Sequence, residues 1–562
     1  MKKKFISACL LSLIMAQVHA QETYENTKLI DNDLNGTARY VGMGGAMEAL
    51  GADLSVINTN PAGIGLFRRS SGSVSFGLVS QDGARDFKYG NKTNASFDQI
   101  GFVYSMRSGQ KSFMNVAFSY RKSKNFDYIL SAADVFKPVN SYDKDGKLVD
   151  VQYSSQNKLS YMKVNGNEDN LDKRSDGWMG KPVYTSQLDN LYYNTFMMTS
   201  RDGLYYNEAS GYDFARANTG YIGEYDFNLS GNLNDRVYLG LTVGIHDVHY
   251  TGRSIYSESL LRDIDGVSKA PAGDISVCDE RRITGTGYNV SAGVIFRPVE
   301  YSPFRVGLSI SSPTWYDLTT RNYTYLENNS RDAGGNRLQG DFPQYTTGES
   351  YDFKVFTPWK FGLSLGHTVG NYLALGASYE YADYSCVDTR VNDGYDVDSW
   401  GSVYEHSSSD DAMNRHTKET LKAVSTIKVG AEAKVMPNLA VRVGYNYVSP
   451  MFKKEGFKDG NIDSYGSNYS SATDYTNWEE TNRFTVGLGY TVGKFSFDLA
   501  YQYAQTNGQF HPFADSYLDY TYPGKDDKGN DVTLTGSLDN YADAVKVSNK
   551  RNQLLFTMTY RF

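Results

Sequence analysis

No stretch of this 562-residue chain reaches the roughly 18 consecutive apolar residues that a membrane-crossing helix needs, so helical spans are excluded. Cysteine is nearly absent, at three. Cys9 falls in the leader described below. The other two, Cys278 and Cys386, are too few for a disulfide scaffold or a cysteine metal site, and only a single bridge between them stays open. Proline is scarce at 13, and no Pro/Ser/Thr-rich or charge-block linker divides the chain, although a soluble protein of this length would ordinarily form several domains. An excess of positive charge is lacking too. The formal net charge of −8 argues against a nucleic-acid partner.

What is abundant is glycine, at 53, and tyrosine, at 46, with aromatics at 14% of the chain. That balance is odd for a cytosolic enzyme. It is expected of a transmembrane β-barrel, whose strands alternate apolar and polar and whose interfaces carry aromatic girdles. The chain opens Met1-Lys2-Lys3-Lys4, runs apolar from Phe5 to Ala16 and reaches Val18-His19-Ala20. A basic start, a short apolar core and a small-x-small site predict a secretory signal peptide over 1–20. A lipid-anchored start at Cys9 is the lesser alternative, because the small-residue context is missing.

Strict period-2 alternation recurs along the chain. Val237, Leu239, Leu241, Val243 and Ile245 share one face, against Tyr238, Gly240, Thr242 and Gly244 on the other. Phe484, Val486, Leu488 and Tyr490 repeat the pattern, turn at Val492-Gly493-Lys494, and resume as Phe495, Phe497, Leu499, Tyr501 and Tyr503. A soluble β-sandwich also alternates, but rarely sets so many aliphatics per strand opposite so many glycines. The fold class is therefore all-β. Fourteen strands are predicted, at 72–80, 97–107, 111–121, 220–231, 236–250, 282–298, 303–312, 352–369, 371–386, 420–436, 438–449, 482–493, 494–506 and 551–562. An even number puts both ends of the barrel on one side of the membrane. The connections alternate short and long, with long loops at 122–219, 251–281, 313–351, 387–419, 450–481 and 507–550. Short inner turns and long outer loops are the barrel signature. The last strand sets Leu554, Phe556, Met558, Tyr560 and the terminal Phe562 on one face, which resembles the signal read by the barrel assembly machinery of bacterial outer membranes.

Ahead of the first strand lies Asn60-Pro61-Ala62-Gly63. On its own this is a common turn, since Pro61 fixes its own φ and pushes Asn60 out of the helical region. It follows a Gly/Ala-rich segment containing Thr37-Ala38-Arg39-Tyr40, Gly42, Gly44-Gly45-Ala46, Ala49 and Ala52-Asp53. In front of a fourteen-stranded barrel, this arrangement resembles the FadL-type family, outer-membrane transporters of long-chain fatty acids and aromatic hydrocarbons such as toluene. Ser312-Pro313 and Thr357-Pro358-Trp359-Lys360-Phe361-Gly362 look like strand patterns of the same family. The resemblance implies an N-terminal hatch folded into the lumen over 21–70, with Asn60, Pro61, Ala62 and Gly63 as its gating turn, in front of a barrel over 71–562. It further implies capture of cargo by the outer loops, an apolar pocket, and lateral exit at a kinked third strand. One departure is that Lys111 to Arg121 contains no Gly or Pro to mark such a kink, although a bulge needs neither.

Passive diffusion of a hydrophobic small molecule through a monomeric barrel embedded in outer-membrane lipid is the expected function, with no energy-coupling box in view. A haem receptor and a structural or adhesive barrel are the alternatives. Phe67, Lys360, Arg305 and Arg442 are the candidate cargo contacts. With Arg483, Glu380, Glu432 and Asp498 they include lumen charges of mixed sign, most of them expected to pair across the lumen. Tyr192-Tyr193, Phe196-Met197-Met198 and Tyr205-Tyr206 suit either an apolar capture surface or a loop packed on itself. A barrel hydrolase would need a serine elbow beside His246 or His249, and none is present, so no catalytic residue is assigned. His246 and His249, three apart on a strand, point to opposite faces, which disfavours a shared metal or haem. Asp143-x-Asp145-Gly146 and Asp263-x-Asp265-Gly266 read as Asp-Gly turns, because each lacks the downstream acidic ligand of a calcium loop. No cofactor and no metal are expected.

Overall fold

The structure is a computed structural model that describes residues 22–165, 186–194, 206–337, 349–397, 400–401, 403–460, 462, 464, 471–525 and 531–562. The leader over 1–20 and Phe196-Met197-Met198 lie outside the described residues. Fourteen wall strands follow in chain order. They are β1 (Ser71–Asp82), β2 (Thr93–Arg107), β3 (Phe113–Asn125), β4 (Glu208–Leu233), β5 (Val237–Asp263), β6 (Lys269–Phe296) and β7 (Arg305–Ser311). The second half is β8 (Lys360–Val369), β9 (Leu373–Asp383), β10 (Ala423–Met436), β11 (Leu439–Val448), β12 (Tyr475–Val492), β13 (Phe495–His511) and β14 (Val545–Arg561). Each pairs antiparallel with its chain neighbours. β14 pairs β1 from Ser71↔Arg561 to Asp82↔Lys550 and closes the barrel. Closure matters physically, because a spanning sheet in hydrocarbon cannot leave an edge of unpaired N–H and C=O groups.

The alternation sorts the faces as expected. Leu239, Leu241, Val243 and Ile245 of β5, and Phe484, Val486 and Leu488 of β12, point outward and stay 44–57% exposed. This outward row is an apolar belt of the kind a bilayer covers. Tyr379, Tyr381 and Trp359 edge it on the long-loop side, and Tyr490, Phe495 and Phe562 on the short-turn side. Further along β5 the outward face turns mostly polar, as Asp247, His249, Thr251, Arg253, Ser257 and Ser259, with Ile255 among them.

The long connections differ from their expected form as loops. β4, β5 and β6 run 26, 27 and 28 residues and carry the sheet far beyond the belt. Much of 251–281, 313–351 and 507–550 is strand, because backbone projecting into water still satisfies its polar groups most cheaply by staying paired. The strand expected at 352–369 is two, Glu349–Phe356 and Lys360–Val369, parted at Pro358; the seventh strand is likewise followed, after Pro313, by Trp315–Asn328. A proline has no N–H to give the ladder. Thr357 and Thr314 bridge the interruption, the Thr314 N–H donating to Thr357 Oγ1 at 2.8 Å and the Thr357 N–H to the Thr314 carbonyl at 3.1 Å.

Residues 22–70 fill the lumen. They form α1 (Thr23–Ile30), α2 (Ala38–Gly42) and two 3₁₀ turns, Leu54–Val56 and Pro61–Leu66. Tyr40, Val41, Met43, Met47, Val56 and Ile57 bury against one another as a small core of their own. Thr37 caps α2, accepting from the Tyr40 N–H at 3.1 Å and donating to Asp53 at 2.8 Å. The segment meets the wall at glycines. Eight consecutive strands, β5 to β12, each offer one inward glycine to it: Gly240, Gly293, Gly307, Gly366, Gly376, Gly430, Gly444 and Gly487. A β-carbon at Gly376 would collide with the Ala46 carbonyl oxygen, and one at Gly366 would lie 3.0 Å from the Ala49 carbonyl carbon.

Two further helices, α3 (Gln156–Asn165) and α4 (Gln187–Asn194), sit inside the outer extensions of the wall, and α5 (Asp411–Thr420) lies against α1.

Candidate functional site

Between the lumen segment and the outer cap lies a cavity of about 380 Å³. Tyr40, Asn58 and Thr59 contribute from the lumen segment, together with Arg121, Glu224, His246 and Lys428 from the wall. Ile30, Phe126, Tyr316, Val448, Met451 and Phe452 supply apolar surface to the same space. The site is therefore amphipathic, with charged groups and hydrocarbon in one chamber.

α1 is held at this level by its own sequence. The Glu22 carboxylate accepts from the Tyr24 and Glu25 N–H groups and caps the helix. Tyr24 stacks on Phe452 at 5.2 Å between ring centres. Burial pushes the Glu25 carboxyl up, but Arg281 at 3.1 Å and Lys28 at 2.7 Å outweigh it and hold the group well below the usual carboxylate range.

Most of the charges cancel locally. Lys124 pairs with Asp31 at 2.6 Å, Arg216 with Asp474 at 2.6 Å, Lys428 with Glu48 at 2.8 Å, and Arg121 with Glu224. Two cavity cations, Lys360 and Arg483, have no ion-pair partner among the described residues; Arg483 donates to Asn446 Oδ1 at 2.8 Å.

The gap between β2 and β3 is the second feature. Their pairing runs from Arg107↔Phe113 to Gln99↔Arg121 and stops there. β3 carries a bulge between Lys122 and Lys124, and its outer end follows β4. The irregularity expected at the third strand thus lies just beyond Arg121, without a Gly or Pro. The lumen segment fills the gap. Asp33 donates its N–H to the Ser123 carbonyl at 2.8 Å and accepts from the Asn125 N–H at 3.0 Å. Asn35 donates to Asp98 at 2.9 Å and to the Lys122 carbonyl at 3.0 Å.

Of the candidate cargo contacts, the cavity takes in Lys360 alone. Arg305 donates to the Leu50 carbonyl at 3.1 Å, on the short-turn side of the segment. Arg442 is committed to Glu432 at 2.6 Å and Asp498 at 2.7 Å, and Arg39 completes that cluster at 2.9 Å from Glu432. Phe67 packs against the segment's own apolar core. Asn60, Pro61, Ala62 and Gly63 are buried below the cavity. Asn60 caps the turn, accepting from the Ala62 N–H at 3.2 Å, and donates to the Leu308 carbonyl at 3.4 Å. Tyr192 is buried with Leu188 and Leu191, and Tyr206 packs on that cluster, so these two belong to a loop packed on itself.

His246 points inward, within 3.3 Å of Asn289 and 3.4 Å of the Tyr316 hydroxyl, while His249 faces out beside Asp247, so the two cannot serve one iron. The Asp143 and Asp263 motifs are tight turns in which each leading carboxylate accepts backbone N–H groups. Sequence reasoning missed Arg121 and Glu224, and placed Asn58 and Thr59 in the 21–70 segment without assigning them to a cavity. The available signal was an opposite-charge pair at inward positions of adjacent strands, which the register Arg121↔Glu224 makes explicit.

No family model matches the sequence, and no curated protein matches it. Among solved structures, the chain is similar to a Pseudomonas aeruginosa FadL homologue, at 12% identity over 95% of this chain and 100% of that one, with a TM-score of 0.45. It is similar to the Ralstonia pickettii toluene transporter TbuX at 13% identity over 94% and 99% of the two chains, with a TM-score of 0.43. The Pseudomonas putida toluene transporter TodX follows at 10% identity over 95% and 100%, with a TM-score of 0.42.

Proposed function

We propose that this chain is a passive outer-membrane conduit for hydrophobic small molecules, with long-chain fatty acids and similar amphiphiles as the cargo class. The observation that carries this reading is the amphipathic chamber of about 380 Å³ above a lumen segment seated on the wall's glycines. An amphiphile needs hydrocarbon for its body and a counter-charge for its head. Ile30, Val448 and Met451 suit the first, and Lys360, without an ion-pair partner among the described residues, suits the second. In this reading residues 21–70 act as a hatch, and Asn60, Pro61, Ala62 and Gly63 seal it against the wall. Cargo leaves sideways between β2 and β3, where Asn35 of the hatch bonds to both strands and Asp33 to β3. Once past the polar headgroups a hydrophobic molecule enters the bilayer directly, so no aqueous channel and no energy source are required. Phe562 at the end of β14 serves the barrel assembly machinery, and the barrel works as a monomer.

Organic extraction of the purified protein, read by mass spectrometry, is expected to release an amphiphile bound in the chamber. In a binding assay with a fluorescent carboxylated lipid, Lys360→Glu should weaken affinity about 10- to 100-fold, as loss of a charge-assisted hydrogen bond implies. Binding of the matching neutral alcohol should change little. Equal affinity of wild type and K360E for the carboxylate would remove Lys360 from the site, and an empty extract together with no lipid binding would overturn the conduit.

A further inference from the structure

Outward of the cavity, the inner faces of β5 and β6 continue as Tyr256, Glu258 and Leu260, and as Ile275 and Val277. α3 and α4 lie against them: Tyr161, Leu188 and Leu191 bury with Leu260, Ile275 and Leu538. The two helices lie inside the wall's extensions, outward of the cavity.

One carboxyl ties them to the wall. Glu258 Oε1 accepts from the Gln156 N–H, at the first residue of α3, at 2.7 Å, and from the Tyr256 hydroxyl at 2.5 Å. The Gln156 side chain then spreads the tie. Its Nε2 donates to Thr473 Oγ1 at 2.7 Å, and its Oε1 accepts from the Tyr192 hydroxyl of α4 at 2.8 Å. Glu258 thus holds the start of α3 directly, and through Gln156 it reaches α4 and Thr473.

Glu258 is 1% exposed, and its second oxygen, Oε2, has no hydrogen-bond partner among the described residues. Facing it are Tyr256 on its own strand, Gln156 of α3, Tyr192 of α4, and the register neighbours Tyr212 of β4 and Ile275 of β6. None is positive. The cations on adjoining elements are spent elsewhere: Lys158 on Gln152 Oε1 and the Tyr153 carbonyl, both at 3.3 Å, and Arg216 on Asp474. A carboxylate buried without a counter-charge is costly, whereas the neutral acid is tolerated.

We propose that Glu258 is a protonation latch on the outer mouth: carrying its proton it holds α3 and α4 shut over the cavity, and on losing it the two helices loosen from the wall. The chemistry sets the direction. Burial pushes the Glu258 carboxyl up to about 7, against an ordinary 4.5, the hydrogen bonds from Tyr256 and Gln156 offsetting part of the rise. A group that binds its proton more tightly in the closed state favours closure when protonated. Its contribution is full below pH 4.5, fades as the pH rises towards 7, and is gone above that. The mouth is therefore tightest in acid and freest from neutral pH upward. This device is independent of what the conduit carries.

Hydrogen exchange of the α3 amides in the full-length protein, corrected for intrinsic rates, tests the latch. Between about pH 5 and about pH 8 the opening of α3 should increase roughly tenfold or more, while the β8 amides in the belt stay protected. Glu258→Gln, which mimics the protonated acid, should stay closed across the range. The proposal is overturned if wild-type α3 opens equally at both pH values, or if E258Q shows the same rise. Should E258Q fail to fold, the wild-type titration still decides.

Discussion

Glycine at an inward wall position removes the one group that keeps two backbones apart. Gly376, Gly430 and Gly444 let the backbone at Ala46, Met43 and Gly44 settle against the barrel with no side chain between. The period-2 pattern shows that these glycines face inward, but not what they face. Replacing Gly376 with Leu should lift the segment locally and admit small polar solutes, raising liposome permeability several-fold with the barrel still formed; a tight G376L barrel would show that the glycine contact is not the seal. The charged residues show the same limit. Lys360 and Arg442 occupy equivalent inward positions in the sequence pattern. Only the fold shows that Arg442 is spent on Glu432 and Asp498, while Lys360 reaches the cavity with no ion-pair partner among the described residues.

At the scale of elements, the strands were legible and their breaks were not. All fourteen predicted strands correspond to wall strands, because the outward apolar row has a period of two that no helix shares. The division at Pro358 was missed, since the apolar alternation continues on both sides of it. The irregularity of β3 was implied by the family resemblance but not marked in its residues, because the bulge lies at Lys122–Lys124, where partners in the lumen segment, rather than a Gly or Pro, replace the lost pairing with β2. If that gap is the way out, holding Asn35 to β2 should close it. With cysteines at positions 35 and 98 joined by a short bismaleimide, delivery of lipid to the bilayer should fall at least about tenfold while binding in the cavity persists. Undiminished delivery would place the exit elsewhere.

For the whole molecule, wall and lumen segment have separate sources of stability. The wall closes on its own hydrogen bonds from β1 to β14, and the lumen segment carries most of its own apolar core. Deleting residues 22–66 should therefore leave a folded barrel, still resistant to heat in detergent, that conducts small ions. A deletion variant as tight as wild type would show that the segment does not plug the lumen. The cap adds a third layer, and its pH response through Glu258 should survive removal of the plug.

The sequence by itself determined the class of molecule: a closed barrel of fourteen strands, apolar outside, with short turns at one end. Those features are written in local periodicity and in the spacing of turns, which need no knowledge of distant contacts. Tertiary structure alone decided which inward charges pair, what the glycines touch, where β2 and β3 part, and that Glu258 lies buried with no cation beside it among the described residues. Each of these depends on residues hundreds of positions apart meeting in the lumen or the cap, and a one-dimensional pattern does not record such meetings. Asn60-Pro61-Ala62-Gly63 shows both sides: the turn is legible in four residues, but its burial beneath the cavity, against β7, is not.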